Sequence, residues 1–192
     1  MKILVIDDAE HNRASARMTL ADHDVTVIDN VLEAFKVLDV RRMQFDAVLT
    51  DLMMPIGLFR GAMSKTAVPP RVGVPAGLVF AIKASNLGIR SVICADSNHH
   101  HDWICALLDL LVDKHGSHGR RISDHAKQVA FVELGTVAML ATWDAQNKII
   151  VLDENCWKKD VPRIKHWREA MVESGIFPEI KQTHVHQMQE AS

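Results

Sequence analysis

Long apolar runs, clustered basic residues and a paired set of cysteines are all missing from this chain. A helical membrane span needs about 20 consecutive apolar residues, and no run approaches that, so no membrane association is expected. A nucleic-acid footprint shows as a concentrated basic surface. Here the net charge is −2, the pI is near 6.6 and no basic stretch stands out, so nucleic acid is not an expected partner. The three cysteines, Cys94, Cys105 and Cys156, are widely spaced and odd in number. They read as reduced, mostly buried residues of a cytoplasmic protein rather than a disulfide framework. The first strand begins at Lys2, which leaves no room for a signal peptide. Repeats and long linkers are lacking too. Nothing after residue 175 has the length and basic face of a helix-turn-helix output module.

What is present suits one domain with a sizeable core: 192 residues, 48% of them hydrophobic. The organising stretch is Phe45 to Pro55 (FDAVLTDLMMP). A short apolar run there reads as a buried strand that carries Asp51 to its C-terminal end, and Pro55 stops the local regular structure. In an open α/β sheet that end is where ligands sit. A second run, Lys2 to Ile6, ends on Asp7-Asp8. Two strands thus bring three carboxylates to one edge. Like charges held close raise one another's pKa, and a hard cation such as Mg2+ relieves this with one or two carboxylates, waters and phosphate oxygens. The pattern suggests phosphoryl transfer to or from Asp51, the plainer alternative being a solvated loop carboxylate.

Ile3 to Asp8 (ILVIDD) and Asp46 to Pro55 (DAVLTDLMMP), with the spacing between them, resemble the two signature segments of response-regulator receiver domains. The resemblance implies that Asp7 and Asp8 hold Mg2+, that the Met53 backbone carbonyl joins them, and that Asp51 accepts a phosphoryl group. The donor would be a histidine kinase or phosphotransfer protein, and the output contact with a downstream protein target. It implies a phosphoacceptor whose own chemistry is limited to self-phosphorylation and autodephosphorylation. The fold expected is α/β and doubly wound, with a parallel five-stranded sheet in flavodoxin-like order.

The rest of the chain fits that frame more loosely. Residues 10–21 read as a first helix, Asp24 to Ile28 as a second strand, and Asn30 as the N-cap of a helix through Leu38. Residues 56–74 form an inserted loop, either a variable surface loop or a lid or docking loop beside Asp51. Pro75 opens a helix over Gly77 to Leu87 that Gly88 ends. Ser91 to Ala95 is a fourth strand, followed by His99-His100-His101 and an apolar helix, Ile104 to Val112. The segment 74–112 resembles a less common group of stand-alone receivers. Adjacent residues at a helix start point apart, so the three histidines suit an exposed polar face better than a metal site. Lys127 to Leu134 is the better candidate for the fifth strand than Thr136 to Thr142. Residues 135–158 form an added flap or hairpin, with a turn at Asp144 to Asn147. Residues 163–174 form the last helix, on a stripe of Ile164, Trp167, Ala170 and Met171. The domain spans 1–175, and 176–192 is a polar tail.

Three departures from the receiver pattern stand out. Receivers carry Ser or Thr at the end of the fourth strand, where this chain has Ala95, which has no hydroxyl to donate; Ser97 is the candidate substitute. Tyrosine is absent altogether, so the family's aromatic switch partner is Phe131, a tryptophan or missing. The lysine that should follow the fifth strand and meet the phosphoryl group as a point charge is Lys165 or Lys159, with Lys158 a third candidate; each could instead be solvent-exposed. The rival readings are a pseudo-receiver, in which the acidic site is decoupled and the domain is a constitutive interaction module, and a haloacid-dehalogenase-type phosphatase. The latter wants a second aspartate two residues after the nucleophile, where Met53 stands.

Overall fold

Residues of β1 (Lys2–Ile6) divide their side chains between two cores, because successive residues of a strand point to opposite faces. Ile3 and Val5 join one cluster, Leu4 and Ile6 the other, and all four are fully buried. Burial on both faces is the signature of a parallel sheet covered by helices. The computed structural model describes residues 1–40, 44–55, 73–95, 112–113, 120–122, 129–133, 137–152, 163–175 and 177.

Among them run α1 (Glu10–Thr19), β2 (Asp24–Ile28), α2 (Val31–Val40), β3 (Ala47–Asp51), β4 (Met54–Pro55), β5 (Gly73–Val74), α3 (Ala76–Asn86) and β6 (Arg90–Ala95). There follow β7 (Val112–Asp113), β8 (Arg120–Ile122), β9 (Val129–Glu133), β10 (Ala138–Asp144), β11 (Ile149–Leu152), β12 (Arg163–Lys165) and α4 (Trp167–Glu173). The fold is α/β. The order β2-β1-β3-β6-β9 is parallel throughout, with Ile3 opposite Ala47, Asp51 opposite Cys94 and Ile93 opposite Phe131. This order is compatible with a flavodoxin-like sheet. The five parallel strands expected are thus present, and two short antiparallel strands, β8 and β7, extend the β9 edge, making seven among the described residues.

The first cluster joins Ala16 and Leu20 of α1 and its end to Trp167, Ala170 and Met171 of α4, over Leu49, Val92 and Val132. The second joins Val31, Ala34 and Leu38 of α2 to Phe80 and Ala84 of α3, over Leu4, Ile6 and Val48. Asn30 caps α2: its Oδ1 accepts from the amides of Leu32 (2.9 Å) and Glu33 (3.1 Å). Gly88 ends α3 with φ +76°, a conformation that costs a side-chain-bearing residue.

A second sheet, in the order β11-β10-β12, is antiparallel. β10 and β11 form a hairpin, and Asp144 closes its turn by accepting from the amides of Gln146 and Asn147. β12 corrects one expectation. Residues 163–174 are not a single helix: Arg163, Ile164 and Lys165 pair with Leu140, Met139 and Ala138, and the helix starts only at Trp167. The apolar spacing fits a helix from Ile164 onward, but the open edge of β10 takes the first three residues. His166 then caps α4, its Nδ1 accepting from the Glu169 amide at 3.2 Å.

Smaller differences concern ends. Pro55 is the last residue of β4, paired with Gly73 of β5, at an edge position where a missing N–H is tolerated. Of the expected insertion 56–74, only Gly73 and Val74 are described, and of the expected helix Ile104 to Val112 only Val112, which lies in β7. Of the tail 176–192 only Phe177 is described; it is buried in the first cluster.

Candidate functional site

Three strands deliver the site. Asp7 follows β1, Asp51 is the last residue of β3 and Lys165 is the last of β12. The Lys165 ammonium lies between the carboxylates, 2.8 Å from Asp7 Oδ2 and 2.5 Å from Asp51 Oδ1. Lys165 is 1% exposed, Asp7 0% and Asp51 6%. Burial alone would push the ammonium's pKa down. The charges of Asp7 and Asp51, with Cys94 and the hydrogen bond to Asp51 adding to them, outweigh it and hold the pKa above the ordinary lysine value. Lysine is therefore a fixed positive charge here.

The local backbone sets each group. Asp7 Oδ1 accepts from the Ala9 amide at 2.9 Å, an Asx-type turn that starts α1. Asp51 Oδ1 accepts from the Leu52 amide at 2.9 Å. The backbone of Lys165 is held by β10, by the Ser15 hydroxyl, which donates to the Lys165 carbonyl, and by Asn12, whose Oδ1 accepts the Lys165 amide at 3.2 Å. The Trp167 ring centre is 5.4 Å from Lys165 Nζ, within cation–π reach.

Other named residues are placed as follows. Asp8 is exposed in the loop after β1. The Asp7 and Asp8 carbonyls accept from Arg13 Nη1 at 2.9 and 2.6 Å. Met53 is half-buried and packs against the cluster of Leu52, Ala81, Ile93, Ala95 and Phe131. Ala95, at the end of β6, presents an apolar side chain to that cluster. Ser97, Lys158, Lys159 and His99 to His101 lie outside the described residues.

Reading the sequence missed Asn12, Arg13 and Gly77. Asn12 had a legible signal: with Ser15 and Ala16 it lies on the inner stripe of α1, where a polar residue must find a partner. Gly77, the second residue of α3, lies against the end of β3, its amide donating to the Leu52 carbonyl at 3.1 Å.

Among the described residues no three Asp, Glu, His or Cys side chains converge as a metal cage. Mg2+ needs no such cage, since it keeps several waters and takes one or two carboxylates. Asp7 and Asp51 are hard oxygen donors sharing one buried counter-charge, a donor set of the right chemistry for that ion. A scan against protein-family models finds no match to this chain, and a search of curated proteins finds none.

Proposed function

We propose that this chain is a stand-alone response-regulator receiver that takes a phosphoryl group onto Asp51 in a cytoplasmic phosphorelay. In this reading the sheet is doubly wound in flavodoxin-like order, with insertions after the third parallel strand and near the fifth. The observation that carries it is the Lys165 ammonium, buried and hydrogen-bonded to both Asp7 and Asp51 at the C-terminal edge of the parallel strands. A structural ion pair would need one carboxylate; here two converge on one lysine, and one of them ends a strand where ligands bind.

The step follows from that arrangement. A carboxylate oxygen of Asp51 attacks the phosphorus of a phosphohistidine on a kinase or phosphotransfer protein. A P–O bond forms, the P–N bond breaks, and the imidazole leaves with the bonding pair and takes up a proton. Lys165 sets a positive charge beside the oxygen that becomes the acyl phosphate. Asp7, Asp8, Asp51 and the Met53 carbonyl are the groups that would hold Mg2+. When bound, Mg2+ supplies further positive charge against the phosphoryl oxygens. The added negative charge then alters the surface that a downstream protein contacts.

The test is intact-mass measurement after treatment with acetyl phosphate and Mg2+. One phosphoryl group should be gained, and Asp51→Asn should abolish the gain. Equal labelling of the Asn variant would remove Asp51 from this role. Ala95 favours a second reading, a pseudo-receiver that acts as a constitutive interaction module, because it offers no hydroxyl to a phosphoryl group. A wild-type chain that takes no label would support that reading.

A further inference from the structure

Asn12 is 5% exposed on the inner stripe of α1, and three of its polar groups are tied to the site. Its Nδ2 donates to both oxygens of Asp7, at 3.3 and 3.2 Å. Its Oδ1 accepts the Lys165 amide at 3.2 Å. Its backbone carbonyl accepts the Trp167 indole N–H at 2.9 Å. One side chain thus orients the carboxylate at one end of the ion-pair bridge and the backbone of the lysine that makes it. Electrostatic attraction alone has little directional preference, so an ammonium held only by charge could settle on either carboxylate.

We propose that Asn12 is a positioning residue: it holds Asp7 and Lys165 so that the ammonium bridges Asp7 and Asp51. The proposal rests on reading Asp51 as the phosphoacceptor. A purely packing role for Asn12 would depend on its shape alone. Aspartate has the same shape and keeps an acceptor for the Lys165 amide, but it loses the donor and sets a second carboxylate against Asp7. Lys165 is then drawn toward residues 7 and 12 and away from Asp51. The two roles therefore predict different behaviour for Asn12→Asp.

The experiment uses the full chain, wild type and Asn12→Asp, Asn12→Ala, Asp7→Asn and the Asp7→Asn/Asn12→Asp double variant. The Mg2+ dissociation constant is read by tryptophan fluorescence without any phosphodonor. The rate of mass gain from acetyl phosphate is read separately at saturating Mg2+. Asn12→Asp should bind Mg2+ more tightly, because it adds a carboxylate to the site, while its transfer rate falls by about 10–100-fold, the usual cost of losing an outer-shell partner. Asn12→Ala should lose in both measurements. In the Asp7→Asn background, the rate cost of Asn12→Asp should largely vanish, since the swap restores one amide against one carboxylate and residues acting through one contact are not additive.

Wild-type rate and affinity in Asn12→Asp, or effects that add fully across the cycle, would leave Asn12 a packing residue. If Asn12→Ala does not fold, the isosteric Asn12→Asp carries the test. A wild-type chain that takes no phosphoryl group overturns the phosphoacceptor reading instead, and the Mg2+ constants of the same variants then decide on Asn12 by themselves.

Discussion

The carbonyl oxygen of Asp51 occupies the space that a side chain on Gly77 would need. A Cβ built there would stand 2.0 Å from that oxygen and 2.9 Å from the Leu52 Cα. The start of α3 is thereby seated directly on the backbone that presents Asp51. In an exposed helix interior, Gly→Ala gains up to about 1 kcal/mol from propensity. Here the contact is with backbone, which cannot rotate aside, and overpacking costs roughly 1–3 kcal/mol. Gly77→Ala should therefore be destabilised in urea unfolding and should slow labelling of Asp51. A variant more stable than wild type would show that α3 can slide away without moving β3.

Lys165 is the counter-charge that two buried carboxylates share. Removing one partner of a buried pair typically costs about 3–5 kcal/mol, because the remaining charge is left uncompensated. Lys165→Met should lose stability on this scale in metal-free buffer. If Asp7 and Asp51 then bind a cation in its place, Mg2+ should raise the melting temperature of the variant more than that of wild type. Equal shifts in the two proteins would show that the cation does not share carboxylates with Lys165.

The same lysine has a pH signature. Its pKa in the fold is raised above the unfolded value, which is about 10.4. A raised pKa means that its charge-linked stabilisation is complete below the unfolded value and is lost as pH climbs above it toward the folded value. The stability difference between wild type and Lys165→Met should thus change little on the lysine's account from neutral pH to about pH 10, and shrink beyond. Urea unfolding at a series of alkaline pH values reads this directly. A difference that falls between pH 7 and 9 would contradict the raised pKa.

On the receiver reading proposed above, Ala95 bears on how a phosphoryl group would be sensed. A hydrogen bond to a charged acceptor is worth about 1.5–3 kcal/mol, comparable to an allosteric coupling of about 1–3 kcal/mol. Without the hydroxyl, amide exchange over residues 96–112 should respond only weakly to beryllofluoride with Mg2+. Ser97→Ala should weaken that response further, and Ala95→Ser should enlarge it. A strong wild-type response untouched by Ser97→Ala would place the coupling elsewhere.

Much of the frame was legible in the sequence because its signals are local. Ile3 to Ile6 and Ala47 to Leu49 are short apolar runs that need burial on both faces, and each ends on an aspartate, so Asp7 and Asp51 could be placed at one edge without coordinates. Asn30 and Gly88 mark helix ends by side-chain and backbone chemistry that neighbouring residues decide. The partner of those aspartates was another matter. Lys165 is 114 residues from Asp51, and only the likeness of Lys165-His166-Trp167 to a stand-alone receiver pattern set it ahead of Lys159. Its own segment carried a helical spacing, Ile164 with Trp167, Ala170 and Met171, that β10 overrode by offering unpaired backbone groups to residues 163–165. Strand pairing depends on which edge lies nearby, and so does the contact of Asn12 with Asp7 and Lys165. Sequence periodicity determined which faces are buried; the tertiary structure alone decided which buried polar groups meet, because those bonds join elements that only folding brings within 3 Å or so of each other.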